Sequence, residues 1–227
     1  MTDTSGAPAQ PASALEEILP TAIEVVTDPR GFFERMAREG GYERPAIFAA
    51  VMLVVYGAAL GVFSLLHLHF GAFLAALIAT PIFGAIALLI GSAILFFLSR
   101  SLGGEASFES SFRVVAYCSA LAPLQAAASL VPYLPLLVQA YAIYVTILAV
   151  IAVHKVPEQK AWTVLGGIGA VLLLLAFWGT VTARRVAPKL DELNRQMQRS
   201  TEELGKAMER MGQEMQQQQQ GDEEQGE

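Results

Sequence analysis

The chain has 227 residues, of which 54% are apolar and only 16% charged, with a net charge of −6. An ordinary soluble domain carries roughly 25% charged residues, and here the deficit is concentrated: residues 45–99, 114–153 and 161–183 contain no Asp, Glu, Lys or Arg. Those blanks exclude a water-soluble domain, the single Cys118 excludes a disulfide scaffold, and an acidic balance without a basic stripe argues against a nucleic-acid binder.

The pattern predicts an all-α fold: a polytopic transmembrane helical bundle of five spans, with an N-terminal interfacial helix and a C-terminal amphipathic helix. Residues 1–27 are expected to be largely disordered. The first fourteen are Ala/Pro/Ser/Thr-rich and lack the basic and apolar regions of a signal peptide, so the first span is expected to direct insertion. Residues 15–27 are weakly amphipathic and interrupted by Pro20, which predicts a short or broken helix. Asp28 suits an N-cap and Pro29 the first helical position. Residues 28–44 then combine Phe32, Phe33 and Met36 with Arg30, Arg35 and Arg38, and Gly40-Gly41 ends the segment. Aromatic rings toward acyl chains and arginines toward phosphates would lay this helix on the membrane surface; the alternative packs it on the protein's own cytoplasmic face.

The membrane domain is expected over residues 45–183, with spans at 45–66, 72–99, 114–131, 136–153 and 162–183. Twenty-two residues at 1.5 Å each cross a hydrocarbon core about 30 Å thick. Gly57 and Gly61, four apart, allow close helix approach, and Ala76, Thr80 and Gly84 form a small-residue stripe on the second span. The second span exceeds one crossing, so tilt or a kink at Pro81 is expected. In the polar connection 100–113, Phe108 and Phe112 share a helical face as further interfacial candidates, and Ser107 can cap their turn. The third span is broken by Pro123 and joined to the fourth by Pro132-Tyr133-Leu134-Pro135, a membrane hairpin. Trp162 suits an interface.

Residues 184–227 form the tail. Leu190, Met197, Leu204 and Met211 recur every seven residues beside Asn194, Thr201, Met208 and Met215. This seam could pair in a homo-oligomer, lie on a membrane or remain an isolated helix, and the Gln run after 215 is expected to be disordered.

Lys and Arg counts orient the chain. Arg30, Arg35, Arg38 and Arg44 precede the first span, Arg100 and Arg113 follow the second, and Lys155 and Lys160 follow the fourth. All share one side if the N-terminus is cytoplasmic. Arg184, Arg185, Lys189, Arg195 and Arg199 then fall outside, so a re-entrant segment remains the alternative to five crossings.

No catalytic, cofactor-binding or metal-binding residue is expected. The spans carry no ionisable acid–base cluster, which intramembrane catalysis needs. His67 and His69 lie across the bilayer from His154 and cannot share a metal with it. Cys118 reads as packing, and Gly166-Gly167-Ile168-Gly169 lies inside a span with no preceding strand, so it is no dinucleotide loop. Tyr117, Gln125, Gln139, Tyr141 and Tyr144 concentrate in the hairpin. They offer either a polar cavity for a headgroup or small solute, or simple interhelical hydrogen bonds.

Three segments carry a family resemblance: Asp28-Pro29-Arg30-Gly31-Phe32-Phe33, Leu102-Gly103-Gly104-Glu105-Ala106-Ser107-Phe108, and Val115-Ala116-Tyr117-Cys118-Ser119-Ala120-Leu121-Ala122-Pro123. In order and spacing they resemble prokaryotic members of the Yip family of five-span membrane proteins, over about residues 24–183. The resemblance implies five helices with a cytoplasmic N-terminus. Eukaryotic members serve vesicle traffic by binding prenylated Rab GTPases and shaping membranes. This chain lacks their Asp-Leu-Tyr-Gly-Pro and Gly-Tyr motifs, so Rab binding is not carried over. The Ala- and Arg-rich, Lys-poor composition suggests a bacterial inner membrane. The expected function is a non-enzymatic, membrane-organising or partner-docking scaffold in contact with membrane lipids; the rival is a small-solute or lipid transporter using the Tyr/Gln cavity.

Overall fold

A computed structural model describes residues 17–66 and 70–224, and these are helical throughout apart from turns, with no strand among them. The turn histidines His67 and His69 lie outside the described residues, as do residues 1–16. The chain divides into two units, residues 1–176 and 177–227, and helix α8 (Glu158–Glu224) contributes to both.

In the first unit, α1 (Ile18–Thr27) is unbroken. Pro20 falls in its first turn, where a missing N–H leaves no intrahelical bond unmade. Helix α2 (Pro29–Arg35) starts as the sequence reading expected: the Asp28 carboxylate accepts from Gly31 N at 3.0 Å, with Pro29 at the first helical position. Helices α3 (Glu43–Leu66) and α4 (Phe70–Ser101) form the most extensive pair, and α4 is one continuous helix through Pro81. Gly61 and Gly84 sit at this seam. Gly57 is buried, Thr80 is half-buried, a Cβ on Gly61 would lie 2.6 Å from the Phe73 ring, and one on Gly84 would lie 2.6 Å from Leu53.

The expected third span is not one helix. It comprises α5 (Phe108–Cys118), a 3₁₀ turn (Ser119–Leu121) and α6 (Ala122–Ala128). Pro123 cannot donate to the Ser119 carbonyl four residues back, so the chain tightens and Ala122 N donates to that oxygen instead. Helix α7 (Leu134–His154) follows a left-handed Tyr133, and α8 begins after Pro157. By length and composition, α3, α4, α7 and α8 can each cross a membrane.

Their outward faces show which solvent surrounds them. Phe83 is 70% exposed, Phe97 69% and Trp178 73%, with Ile78, Ile82, Ile86, Ile90 and Ile94 exposed along the same helix as the two Phe rings. So much uncovered apolar side chain is stable only in hydrocarbon. This is a helical integral membrane protein.

The main core lies among α1, α2, α3, α5, α7 and the start of α8, built on Val25, Phe33, Phe48, Val114, Val145 and Val150. It overturns the interfacial reading of residues 28–44. Phe33 is 1% exposed inside this core, and Phe32 and Met36 pack against it. The Phe32 ring meets Phe33 and Tyr117 edge-on, each at 5.1 Å. Phe112 is likewise buried, beside Tyr42 at 5.2 Å; of the five expected interfacial residues only Phe108 is classed as exposed. The physical reason lies in the two faces of the arm. Arg30 pairs with Glu34 at 3.1 Å and Arg35 with Glu24 of α1, with all four side chains exposed, so the charges stay in water on the outer face while the rings fill the core on the inner one.

The second unit is a single helical segment. Leu190, Leu193, Met197, Leu204 and Met208 are exposed along it. The helix continues through the Gln run to Glu224, where the sequence reading expected disorder; Gln and Glu are strong helix formers.

Candidate functional site

The chemistry-bearing side chains gather at one end of the first unit, where three charged segments meet. Arg38, beyond α2, reaches Glu105 in the α4–α5 connection at 3.7 Å. Arg113 Nη1 donates to Gly41 O at 2.9 Å, and Gly41 N donates to the Glu109 carboxylate at 2.7 Å. Glu105 N donates to His154 O at 2.6 Å, and Lys160 Nζ lies 3.5 Å from Leu102 O. The pre-span arm, the 102–107 loop and the 155–157 loop therefore form one polar cap.

Local sequence fixes each part. Ser107 caps α5 by accepting from Ser110 N at 3.0 Å, while Ser110 Oγ accepts from Ser107 N at 3.1 Å, a reciprocal cap that satisfies two otherwise orphaned donors. Gly103 turns the chain with φ +88°. Gly104 then runs against two backbones: a Cβ there would lie 2.8 Å from His154 O, 3.0 Å from Ser99 O and 2.5 Å from Val156 Cγ2. Gly104→Ala is expected to lower the unfolding free energy by about 1–3 kcal/mol, because carbonyls held in helix ends cannot step aside. Thermal unfolding in detergent would show it, and an unchanged midpoint would mean the loop yields freely.

At the centre sits His154, fully buried at the end of α7. Its Nδ1 lies 2.8 Å from Ser99 Oγ on α4, and its Nε2 lies 3.4 Å from Ser111 Oγ on α5. The Ser111 hydroxyl donates to Ser107 O at 2.9 Å, so toward the ring it can only accept. The assignment follows: Nε2 carries the proton, and Nδ1 accepts from Ser99. A serine hydroxyl beside an imidazole is also the nucleophile–base geometry of covalent catalysis. Here Ser99 is 1% exposed and His154 0%, which leaves no approach for a substrate, and the ring's other partner is a serine rather than a carboxylate. The node is a three-helix clasp. Among the described residues no three His, Cys, Asp or Glu side chains cluster as metal ligands.

The five expected cavity residues line no common cavity, and among the described contacts only Tyr141 and Tyr144 of them meet. Tyr117 faces Phe32 and Phe48. Gln125 Nε2 donates to Pro135 O at 3.3 Å, bracing the hairpin. Tyr141 donates to Val26 O at 2.6 Å, tying α1 to α7, and Tyr144 stacks on Tyr141 at 5.9 Å and lies 6.1 Å from Trp162. Gln139 lines a separate, mostly apolar groove of about 240 Å³ with Ile143, Thr146, Leu165 and Gly169.

His154 and Arg113 went unnoticed in the sequence except as a metal candidate and a topology charge. The available signals were faint: a histidine in the last turn of an apolar helix, and an arginine directly before an apolar run.

The model of the Yip1 domain matches residues 23–179. The chain belongs to the Yip1 domain family. No curated protein and no solved structure matches the chain. The three segments that resemble the family have structural roles in this Yip1 domain. Asp28 to Phe33 cap and anchor the arm, Leu102 to Phe108 form the loop clasped to His154, and Val115 to Pro123 carry Tyr117 and the 3₁₀ break.

Proposed function

We propose that this Yip1 domain protein is a non-enzymatic scaffold that organises membrane or docks partners, placed in a bacterial inner membrane with its polar cap and N-terminus cytoplasmic. The observation that carries this reading is the dispersal of the hairpin's polar side chains. Gln125 and Tyr141 each bond a backbone carbonyl of another segment, which fixes helices instead of lining a solute path. Arg30, Arg35, Arg38, Arg44 and Lys155 lie in the segments that meet in the cap, and Arg100, Arg113 and Lys160 lie on the helices that flank it, the side that positive-inside placement assigns to the cytoplasm.

The test is water access. Single cysteines at Gln125, Gln139 and Tyr144 in a Cys118→Ser background should resist a membrane-impermeant thiol reagent from either side. Cysteines at Arg35 and Glu158 should label only from the cytoplasmic side. Labelling of Gln125 and Gln139 that alternates between sides would support the transporter reading instead.

A further inference from the structure

The polar cap holds a second feature that the scaffold reading does not require. Arg113 is only 7% exposed, yet no ion pair to it occurs among the described residues, and the acid one turn earlier on its own helix, Glu109, is engaged by Gly41 N at 2.7 Å. Its Nη1 has the Gly41 carbonyl, but its Nε is buried with no hydrogen-bond partner. A guanidinium stays charged at any relevant pH, so it cannot avoid the desolvation penalty by losing a proton. Buried charges are normally matched by an opposite charge.

The space beside it fits such a match. A cavity of about 120 Å³ lies between α1, the start of α3 and α5, lined by Glu17, Thr21, Arg44, Phe48, Arg113 and Tyr117. One water needs only about 10–15 Å³ of such space, so the cavity is well above water size and admits a tetrahedral oxyanion. Arg44 supplies a second guanidinium, and Thr21 and Tyr117 supply hydroxyl groups. The one acid on the wall, Glu17, stands 3.7 Å from Arg44 Nη1, beyond direct hydrogen-bond distance, and both are exposed. The walls thus carry two cations against one loosely held anion. Arg44 directly precedes Pro45, where the first charge-free stretch begins, so the cavity lies level with lipid headgroups.

We infer that the Arg113–Arg44 cavity binds a phosphate group. Two planar guanidinium forks offer parallel N–H donors that match phosphate oxygens. Basic pockets between helices at the cytoplasmic side are where phospholipid headgroups dock. The same chemistry would take a soluble phosphate compound, and Glu17 acts as the occupant that an incoming phosphate displaces from Arg44.

The experiment follows the unfolding temperature of the full chain in an uncharged maltoside detergent during titration. The probes are phosphatidylglycerol, digalactosyldiacylglycerol as a phosphate-free lipid, and millimolar inorganic phosphate at constant ionic strength. A ligand of the folded state raises that temperature by mass action. Stabilisation by phosphatidylglycerol but not by the galactolipid is expected; if inorganic phosphate also stabilises, the site takes soluble phosphate too, and if inorganic phosphate alone does, the source is soluble. Arg113→Gln should weaken the effective ligand about tenfold or more, the scale of one lost charge-assisted hydrogen bond. Should Arg113→Gln fail to fold, exposed Arg44→Gln carries the same expectation. Glu17→Gln should strengthen binding, which a purely structural role for these arginines does not predict. Equal responses to both lipids with none to phosphate, or an unaltered response in both arginine variants, overturns the inference.

Discussion

Phe33→Ala should lower the unfolding free energy by about 3–5 kcal/mol, the usual loss for a fully buried aromatic ring. The ring is 1% exposed and sits in the core shared by α1, α2, α5 and α7. Its removal opens a void that short α2, seven residues long, cannot collapse to fill while Asp28 and Pro29 hold its start. The edge contact with Phe32 goes as well, a further ~0.5–1.5 kcal/mol of aromatic pairing at most. The measurement is equilibrium unfolding in maltoside micelles and again in lipid nanodiscs. A protein-buried ring gives a similar loss in both. A ring lying in acyl chains would give less than about 1 kcal/mol, and a value that changes with the lipid; that result would return the arm to the membrane surface.

His154→Ala should lower stability by about 2–4 kcal/mol. The figure combines the imidazole-sized void with the unsatisfied Ser99 hydroxyl, since a buried polar group left unpaired forfeits about 1–3 kcal/mol. The Ser99 hydroxyl has no hydrogen-bond partner other than His154 Nδ1 among the described contacts, whereas the Ser111 hydroxyl keeps Ser107 O. Loss of the ring should therefore be felt on the Ser99 side. A double-mutant cycle of His154→Ala with Ser99→Ala should give a coupling of about 0.5–3 kcal/mol, and the cycle with Ser111→Ala a smaller one. Equal couplings would contradict the tautomer assigned from the Ser111–Ser107 bond. Because the clasp joins α4, α5 and α7, His154→Ala should also loosen Gly104, whose neighbour Glu105 donates to the His154 carbonyl. Faster amide exchange across residues 102–107 would report it.

Membrane residence was legible because hydrocarbon imposes a length rule that composition alone can satisfy: about twenty apolar residues without charge. The helix starts at Asp28 and Ser107 were legible for the same local reason. A cap is decided by a side chain within three residues of the N–H it satisfies. The direction of Phe32 and Phe33 was not. An amphipathic segment states only that its rings leave water, and protein core and acyl chains are equally apolar destinations. What decided between them was the core that α1, α5 and α7 hold ready for Phe33, since burying one such ring outweighs the exposed Arg35–Glu24 and Arg30–Glu34 pairs, worth about 0–1 kcal/mol each. The Tyr and Gln residues of the hairpin posed a similar ambiguity. Sequence proximity suggested a shared cavity, but rotation of each helix about its axis sent Tyr141 to Val26 and Gln125 to Pro135. Pro123 was visible as a break, while the 3₁₀ form of that break required the neighbouring geometry.

By itself the sequence determined that this chain lives in a bilayer, that helices start at Asp28 and Ser107, and that it carries the segments of a Yip1 domain, because each of these depends on neighbours along the chain or on the solvent. The tertiary structure alone decided which apolar faces meet protein and which meet lipid, and it alone assembled His154 with Ser99 and Ser111 and Arg113 with Gly41. Those contacts join residues 43 to 72 positions apart, and pairing over such distances is set by how whole helices pack, which no local pattern encodes.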